Sequence, residues 1–178
     1  YPYHGLVQSN LCYNNGGAGI VAYSSQNIKI ANNTAYNNWQ DTQNPGTWRG
    51  ELTNSSSHDI KWINNIGIAI VGSGALSNNT AVLEGVEPPA SDANVTWTHN
   101  ITFDGTVGDA SANFGTPTAS SEFANFLRNN MAGVDPMLAP PQPNPGSPAT
   151  GAGQATPVTP PVSLNGSPMA NPPDIGAY

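Results

Sequence analysis

Apolar and polar residues alternate over short stretches of this chain, and similar stretches occur three times. Residues 26–38 read QNIKIANNTAYNN, residues 57–68 read SHDIKWINNIGI, and residues 93–104 read ANVTWTHNITFD. An incomplete fourth copy, GLVQSNLCYNN, occupies residues 5–15. Each stretch predicts short strands, because alternate side chains of a strand point to the same face.

The alignment of the three stretches predicts which side chains lie above one another. Near-repeats of 32 and 35 residues indicate units that must stack to bury their apolar faces. In such a stack, equivalent apolar residues form the core and buried asparagines hydrogen-bond to one another as a ladder. The aligned columns are Asn27, Asp59 and Asn94; Ile28, Ile60 and Val95; Ile30, Trp62 and Trp97; and Asn33, Asn65 and Asn100.

The spacing of strands and turns favours a parallel β-helix. We expect strands within residues 19–25, 28–31 and 34–36, which makes three short strands in one turn of the chain. In the first of the aligned strands, Ile28 and Ile30 are predicted to face inward and Lys29 outward. Two insertions, at residues 39–48 and 84–93, interrupt the period, and insertions of this kind often form a binding face.

The regular pattern fades towards the C-terminus, so we expect three parts. Residues 1–105 form the β-helix coils, and residues 106–134 form an irregular segment. This segment contains one predicted helix at 119–131, with Phe123, Phe126 and Leu127 on one face. Residues 135–178 are rich in proline, which cannot donate to a β-ladder, and we expect them to pack on the coils as an extended strap.

Composition excludes several classes of partner. Only 8% of the residues are charged, the net charge is −7, and four residues are basic. A nucleic-acid partner requires a basic surface, so none is expected. The longest apolar runs are too short for a membrane span, and the single cysteine, Cys12, excludes an internal disulfide.

Two sets of motifs resemble a known family. The pattern N-I-x-I-x-N-N-x-A-Y-N-N, at residues 27–38, resembles right-handed parallel β-helix repeat proteins related to pectate lyases, alginate lyases and alginate epimerases. P-G-S-P-A at 145–149 and P-D-I-G-A-Y at 173–178 resemble the terminal segment of secreted bacterial β-helix proteins. Residues 164–168, LNGSP, depart from that segment's D-G-N-P motif, and its final acidic residue is missing.

The resemblance implies a fold, a location and a partner. The fold is an all-β right-handed parallel β-helix, a solenoid that is incomplete at its N-terminus and carries a Pro-rich C-terminal strap. The location is extracellular or periplasmic after secretion. The remainder of the same protein, N-terminal to residue 1, is then expected to supply further coils and the export signal.

The resemblance also implies a carbohydrate-active protein, most simply a lyase or epimerase acting on acidic polysaccharide. Such an enzyme neutralises a uronate carboxylate, removes the C5 proton, and handles the leaving oxygen or returns a proton. The candidate catalytic residues are His4, Arg49, Glu51, His58 and Lys61. The candidate substrate-binding residues are Trp39 and Trp48, which would stack on sugar rings, and Asp41 of the same insertion.

Two other functions remain open from the residues. A hydrolase needs two carboxyl groups across the scissile bond, and Glu51 with Asp41 or Asp59 is the available pair. A non-enzymatic extracellular surface, matrix or glycan-binding protein would use the same residues structurally. Arg49 would then pair with Glu51, and Lys29 and Lys61 would form a solvated outer column.

No cofactor is expected. Asp41, Asp59 and the acidic insertion at residues 84–93 offer oxygen ligands of the kind that Ca²⁺ prefers. However, the sequence contains no ligand-dense run such as D-x-D-x-D. The partner that the sequence favours is therefore a polysaccharide rather than a metal ion.

Overall fold

The structure is a computed structural model that describes most of the chain. The described residues are 5–43, 50–72, 79–85, 92–114, 119–139, 142–155 and 162–178. Within them, parallel β-sheets account for most of the regular structure, as the sequence predicts.

Three parallel sheets contain most of the strands. Sheet A comprises β1 (Gly5–Gln8), β4 (Gln26–Ala31), β7 (His58–Ile63) and β10 (Thr96–Thr98). Sheet B comprises β2 (Leu11–Tyr13), β5 (Thr34–Tyr36), β8 (Ile66–Ile68), β11 (Ile101–Phe103) and β13 (Met131–Ala132). Sheet C comprises β3 (Ile20–Tyr23), β6 (Leu52–Ser55), β9 (Val82–Glu84) and β12 (Ala112–Phe114).

The chain enters the three sheets in rotation. From β1 to β12, successive strands join sheets A, B and C in that order, and each strand pairs in parallel with the equivalent strand of the next repeat. The predicted register is confirmed where Ile28 pairs with Ile60 and Trp97 pairs with Trp62. This topology is compatible with the expected parallel β-helix.

One hydrophobic cluster takes side chains from all three parallel sheets. Ile30, Ile60 and Trp62 come from sheet A, Ala35 from sheet B, and Leu52 from sheet C. All five are at most 1% exposed, so the sheets turn their apolar faces towards a shared interior. The alternation in the sequence therefore predicts the core correctly, because each strand keeps its side-chain period of two.

A ladder of asparagine amides runs through the sheet A to sheet B bends. Asn33 Nδ2 donates to Asn65 Oδ1 at 2.9 Å, and Asn65 Nδ2 donates to Asn100 Oδ1 at 2.9 Å. The predicted ladder is thus confirmed, and it extends to Asn10 at one end and Asn130 at the other. Each amide supplies the donor that the next carbonyl requires, so the buried bends keep their polar groups satisfied.

Positive backbone φ angles explain much of the remaining asparagine content. Asn32 and Asn64 follow sheet A strands at φ 52° and 57°. Asn27, Asp59 and Asn94, the aligned polar column, have φ of 56°, 57° and 55°. Asparagine and aspartate tolerate this left-handed conformation better than other residues with a side chain.

Helix α1 (Ala119–Asn129) lies beside the last strands of sheets A and C. It ends two residues earlier than expected, because Met131 joins sheet B as β13. Phe126 is buried and stacks edge-on against Trp97, with ring centroids 6.1 Å apart. Leu127 is 45% exposed, so its expected place on the buried face is wrong.

The C-terminal segment packs against the sheet A to sheet B bends. Asn32 Nδ2 donates to the Asp174 carbonyl at 3.1 Å, and Gly176 N donates to the Asn64 carbonyl at 2.8 Å. Ile175 is fully buried in a second cluster that includes Ile66. The P-D-I-G-A-Y motif therefore packs its isoleucine against sheet B residues such as Ile66.

Glycine is required at position 176 for two reasons. Its φ is +101°, and an added Cβ would lie 2.8 Å from both Ile66 Cδ1 and Thr34 Oγ1.

A small antiparallel pair, β14 (Leu138–Ala139) with β15 (Gln142–Pro143), is a hairpin that the sequence does not signal. Among the described residues, no helix has the length and apolar character that crossing a membrane requires.

Candidate functional site

The outer face of sheet A carries two lysines on neighbouring strands. Ile28 and Ile30 of β4 pack in the core cluster, so Lys29 between them points to the opposite face. Lys29 pairs in register with Lys61 of β7. Paired residues of neighbouring parallel strands lie about 4.8 Å apart, which brings two positive charges close together.

Lys29 is buried, which corrects the interpretation of this column as solvated surface. Its exposed fraction is only 4%, whereas Lys61 is half-buried. Burial lowers the pKa of the Lys29 ammonium, and the charge of Lys61 lowers it further. An anion beside both ammonium groups would offset this repulsion, because it favours their charged forms.

His58 and Asp59 form an exposed pair at the start of β7. His58 Nδ1 lies 2.9 Å from Asp59 Oδ2, and Asn94 Nδ2 donates to Asp59 Oδ1 at 3.0 Å. The hydrogen bond from His58 is the first cause of a lowered Asp59 pKa, and the bond from Asn94 contributes. Because Nδ1 is engaged, Nε2 of His58 is the ring nitrogen left for acid or base chemistry.

These five residues, Lys29, His58, Asp59, Lys61 and Asn94, are called the outer-face site below. They come from β4, β7 and the residues before β10, which are adjacent in sheet A. The site combines a cationic pair with a histidine whose orientation is set by a carboxylate. It can therefore attract an anionic group and exchange a proton next to it.

Glu51 lies in the interior rather than in a surface groove. Asn38 donates to Glu51 from its backbone N at 2.8 Å and from Nδ2 at 2.5 Å, and Asn79 Nδ2 contacts Oε1 at 3.5 Å. The residue is fully buried, and burial raises its pKa to about 7 against the lowering effect of these hydrogen bonds. Asn38 in turn accepts from Asn15, so Glu51 ends a second amide ladder.

Two members of the predicted substrate-binding set also take structural positions. Trp39 is 3% exposed, and its backbone N donates to the Gly17 carbonyl at 2.7 Å. Its ring is therefore not presented to solvent as a sugar platform. Asp41 is half-buried, and its Oδ1 accepts from the backbone N of Gln43 at 2.8 Å.

The other three predicted site residues, His4, Trp48 and Arg49, lie outside the described residues. Of the candidates that the structure describes, His58 and Lys61 share the outer-face site, whereas Glu51 lies in the core. Because Glu51 is buried, it does not share a surface site with His58 and Lys61, the other candidate catalytic residues that the structure describes. For the same reason, Glu51 does not form a surface carboxyl pair with Asp59.

Sequence reasoning missed two contributors to the outer-face site. Lys29 was visible as the partner of Lys61 in the alignment, but its position opposite the inward-facing isoleucines suggested exposure rather than burial. Asn94 was visible as the residue aligned with Asp59. The shared column of Asn and Asp residues, which tolerate the positive φ found at both positions, was the available signal that the two side chains would meet across neighbouring strands.

No group of three histidine, cysteine, aspartate or glutamate side chains among the described residues is arranged to hold a metal ion. Asp59 uses its oxygens to accept from His58 and Asn94. The chemistry of the outer-face site therefore comes from the ammonium groups of its lysines, the imidazole of His58 and the amide of Asn94.

Comparisons with other proteins add no residue to this description. No protein-family model, no curated protein and no solved structure matches the chain. The roles of the outer-face site are therefore assigned from its own geometry and chemistry.

Proposed function

We propose that the chain is a right-handed parallel β-helix of the secreted, pectate lyase-related type and that its outer-face site binds acidic polysaccharide for a lyase or epimerase reaction. The rotation of strands through three parallel sheets supports the fold. The repeat and tail motifs at residues 27–38 and 173–178 support the family.

The observation that carries the function is the Lys29–Lys61 pair, with Lys61 on the strand that begins with the His58–Asp59 pair. The net charge of the chain is −7, so cations placed together on one face stand out as a local exception. Lys61, the more exposed lysine, is proposed to contact a uronate carboxylate, with Lys29 on the neighbouring strand adding to the positive potential. Both charges favour the carbanion-like state that forms when C5 loses its proton.

His58 is the proposed base. Its Nε2 takes the C5 proton of the uronate while Asp59 stabilises the resulting imidazolium through Nδ1. In a lyase, the electron pair then forms the C4–C5 double bond and expels the glycosidic oxygen, which takes a proton from solvent. In an epimerase, a proton returns to C5 from the opposite side of the ring.

The test is turnover by the full-length protein. Alginate, polygalacturonate and hyaluronan are incubated separately, and the ultraviolet absorbance of the unsaturated product reports a lyase. Proton NMR of the recovered polymer reports inversion at C5, and hence an epimerase. Failure to change any of the three polymers by either readout would overturn the proposed reaction.

Two variants test the assignment within that assay. His58→Gln keeps an amide near Asp59 but removes the base, so turnover should fall by about 100-fold or more while polymer binding persists. Arg128→Gln is the matched charge control, because Arg128 is exposed on α1, is not part of the outer-face site, and donates to Asn125. Equal turnover by wild type and His58→Gln would remove His58 from the mechanism.

A non-enzymatic glycan-binding or matrix role is the second candidate. The burial of Glu51 among Asn38 and Asn79 favours it, since a residue expected in catalysis serves the fold instead. This role predicts polymer binding without either chemical change. Binding together with product formation would exclude it.

A further inference from the structure

A cavity of about 400 Å³ lies between strand β10 and helix α1. This volume falls within the roughly 300–1,000 Å³ range of small-molecule sites. The cavity is at the end of the stacked sheets and is lined by none of the residues of the outer-face site except Asn94. The role proposed for the outer-face site therefore does not account for this cavity.

One wall of the cavity is a single helical face. Glu122, Asn125, Phe126 and Asn129 line it, and their spacing of three and four residues places them on one side of α1. Only Phe126 of these is buried, and Leu127 points elsewhere. The helix thus turns hydrogen-bonding side chains, rather than a continuous apolar stripe, towards the cavity.

The opposite wall is held rigidly by buried hydrogen bonds. Trp97 Nε1 donates to Glu84 Oε2 at 2.5 Å, and Asn54 Nδ2 donates to Glu84 Oε1 at 3.2 Å. The same Asn54 Nδ2 donates to Asp92 Oδ1 at 3.0 Å. Glu84 is 4% exposed, and Trp97 is also held by its stacking on Trp62.

The cavity offers more acceptors than donors. Glu84, Asp92 and Glu122 supply carboxyl oxygens, and Asp92 Oδ2 is buried without a hydrogen-bond partner. Burial raises the pKa of Glu84 well above its usual range, and the charge of Asp92 raises it further. The same burial and negative potential would penalise a carboxylate on a ligand, whereas an uncharged hydroxyl group would donate to Asp92 Oδ2 or to Glu122.

The aromatic residues that line the cavity indicate which apolar surface a ligand would need. Phe114 and Phe126, with ring centroids 5.3 Å apart, give the cavity an apolar patch beside its carboxyl groups. A sugar ring has the matching character, since it presents C–H groups on one face and hydroxyl donors around its edge. We infer that this cavity is a second carbohydrate site and that it binds an uncharged sugar rather than a uronate.

The test is an NMR titration of the ¹⁵N-labelled full-length protein, followed at the Trp97 indole N–H. Cellobiose, maltose and lactose are the uncharged probes, and digalacturonate is the charged one. At least one uncharged disaccharide should shift the Trp97 signal saturably, and digalacturonate should leave it unchanged. Absence of a saturable shift with all three uncharged sugars, up to their solubility limits, would overturn the inference, as would an equal response to digalacturonate.

Variants on α1 locate the binding. Glu122→Gln and Asn125→Ala should each weaken binding of the responding sugar by about tenfold, because Gln replaces a charged acceptor with a weaker neutral one and Ala removes the Asn125 amide from the cavity wall. Leu127→Ala is the matched control on the same helix, since Leu127 does not line the cavity. Loss of binding in Leu127→Ala alone would place the sugar elsewhere. The titration does not involve polymer turnover, so its outcome does not depend on the reaction proposed for the outer-face site.

Discussion

The rings of Trp62 and Trp97 stack face to face, with centroids 4.6 Å apart and planes inclined by 7°. Both side chains are buried, and their strands β7 and β10 pair them in register. The distance between the rings is therefore close to the spacing of neighbouring strands in a sheet, about 4.8 Å. The pairing of the two strands therefore also fixes how the two rings pack in the core.

Replacing Trp62 tests how much the aromatic column contributes. Trp62→Ala should lower the free energy of unfolding by about 3–5 kcal/mol, because it removes a fully buried ring and leaves a cavity beneath Trp97. Urea unfolding followed by far-ultraviolet circular dichroism measures the change. Tyr23→Ala, at a position 50% exposed, is the control and should cost under about 1 kcal/mol. Similar losses in both variants would contradict this packing.

Asn65 tests the amide ladder. It accepts from Asn33 and donates to Asn100, and it is fully buried. Asn65→Leu should lower the free energy of unfolding by at least about 2 kcal/mol, because the Asn33 donors lose their acceptor. Asn125→Ala is the control: Asn125 accepts from Arg128 at the exposed surface of α1 and should cost under about 1 kcal/mol. A loss at Asn65 no greater than at Asn125 would show that the ladder does not stabilise the fold.

Glu51 predicts a pH dependence of stability with a definite sign. Its pKa is about 7 in the folded protein and near 4.5 in a model peptide, so between these values the folded state binds more protons than the unfolded state. The contribution of Glu51 to the free energy of unfolding should therefore be highest below pH 4.5 and should fall as pH rises to about 7. The difference amounts to about 3 kcal/mol.

Comparison of wild type with Glu51→Gln isolates this effect. The difference in unfolding free energy between the two proteins, measured by urea unfolding at several pH values, should change by about 3 kcal/mol between pH 4.5 and 7. Glu122→Gln, which removes the same type of charge from an exposed position on α1, provides the comparison for a surface glutamate. A pH-independent difference for Glu51→Gln would mean that Glu51 is not buried as described.

The sequence predicts the stacked architecture well because the relevant interactions repeat. Ile28, Asn33 and Trp62 each recur at the same place in the next repeat, so an alignment of the chain with itself reveals their partners. Parallel strands then bring those partners together, and the ladder and the aromatic stack follow. The short helix is also predictable from its local pattern, in which Phe123 and Phe126 pack against the core although Leu127 does not.

The candidate site is harder to predict because it depends on contacts that do not repeat. Glu51 looks like a surface residue in the sequence, yet the amides of Asn38 and Asn79 make its burial tolerable. The burial of Lys29 also could not be read from its own strand, where it alternates with two inward-facing isoleucines. The cavity near Glu84 requires α1 to lie over β10, which no periodicity encodes.

The proposed role of the outer-face site rests on attraction between Lys61 and an acidic polymer. The most direct measurement is the affinity of the full-length protein for polygalacturonate at fixed salt, compared among wild type, Lys61→Gln and Arg128→Gln. Lys61→Gln should bind about tenfold more weakly, because a charge-assisted contact is lost, while Arg128→Gln should stay within about twofold of wild type. Unchanged affinity in Lys61→Gln, or an equal loss in both variants, would contradict a polysaccharide site on this face of sheet A.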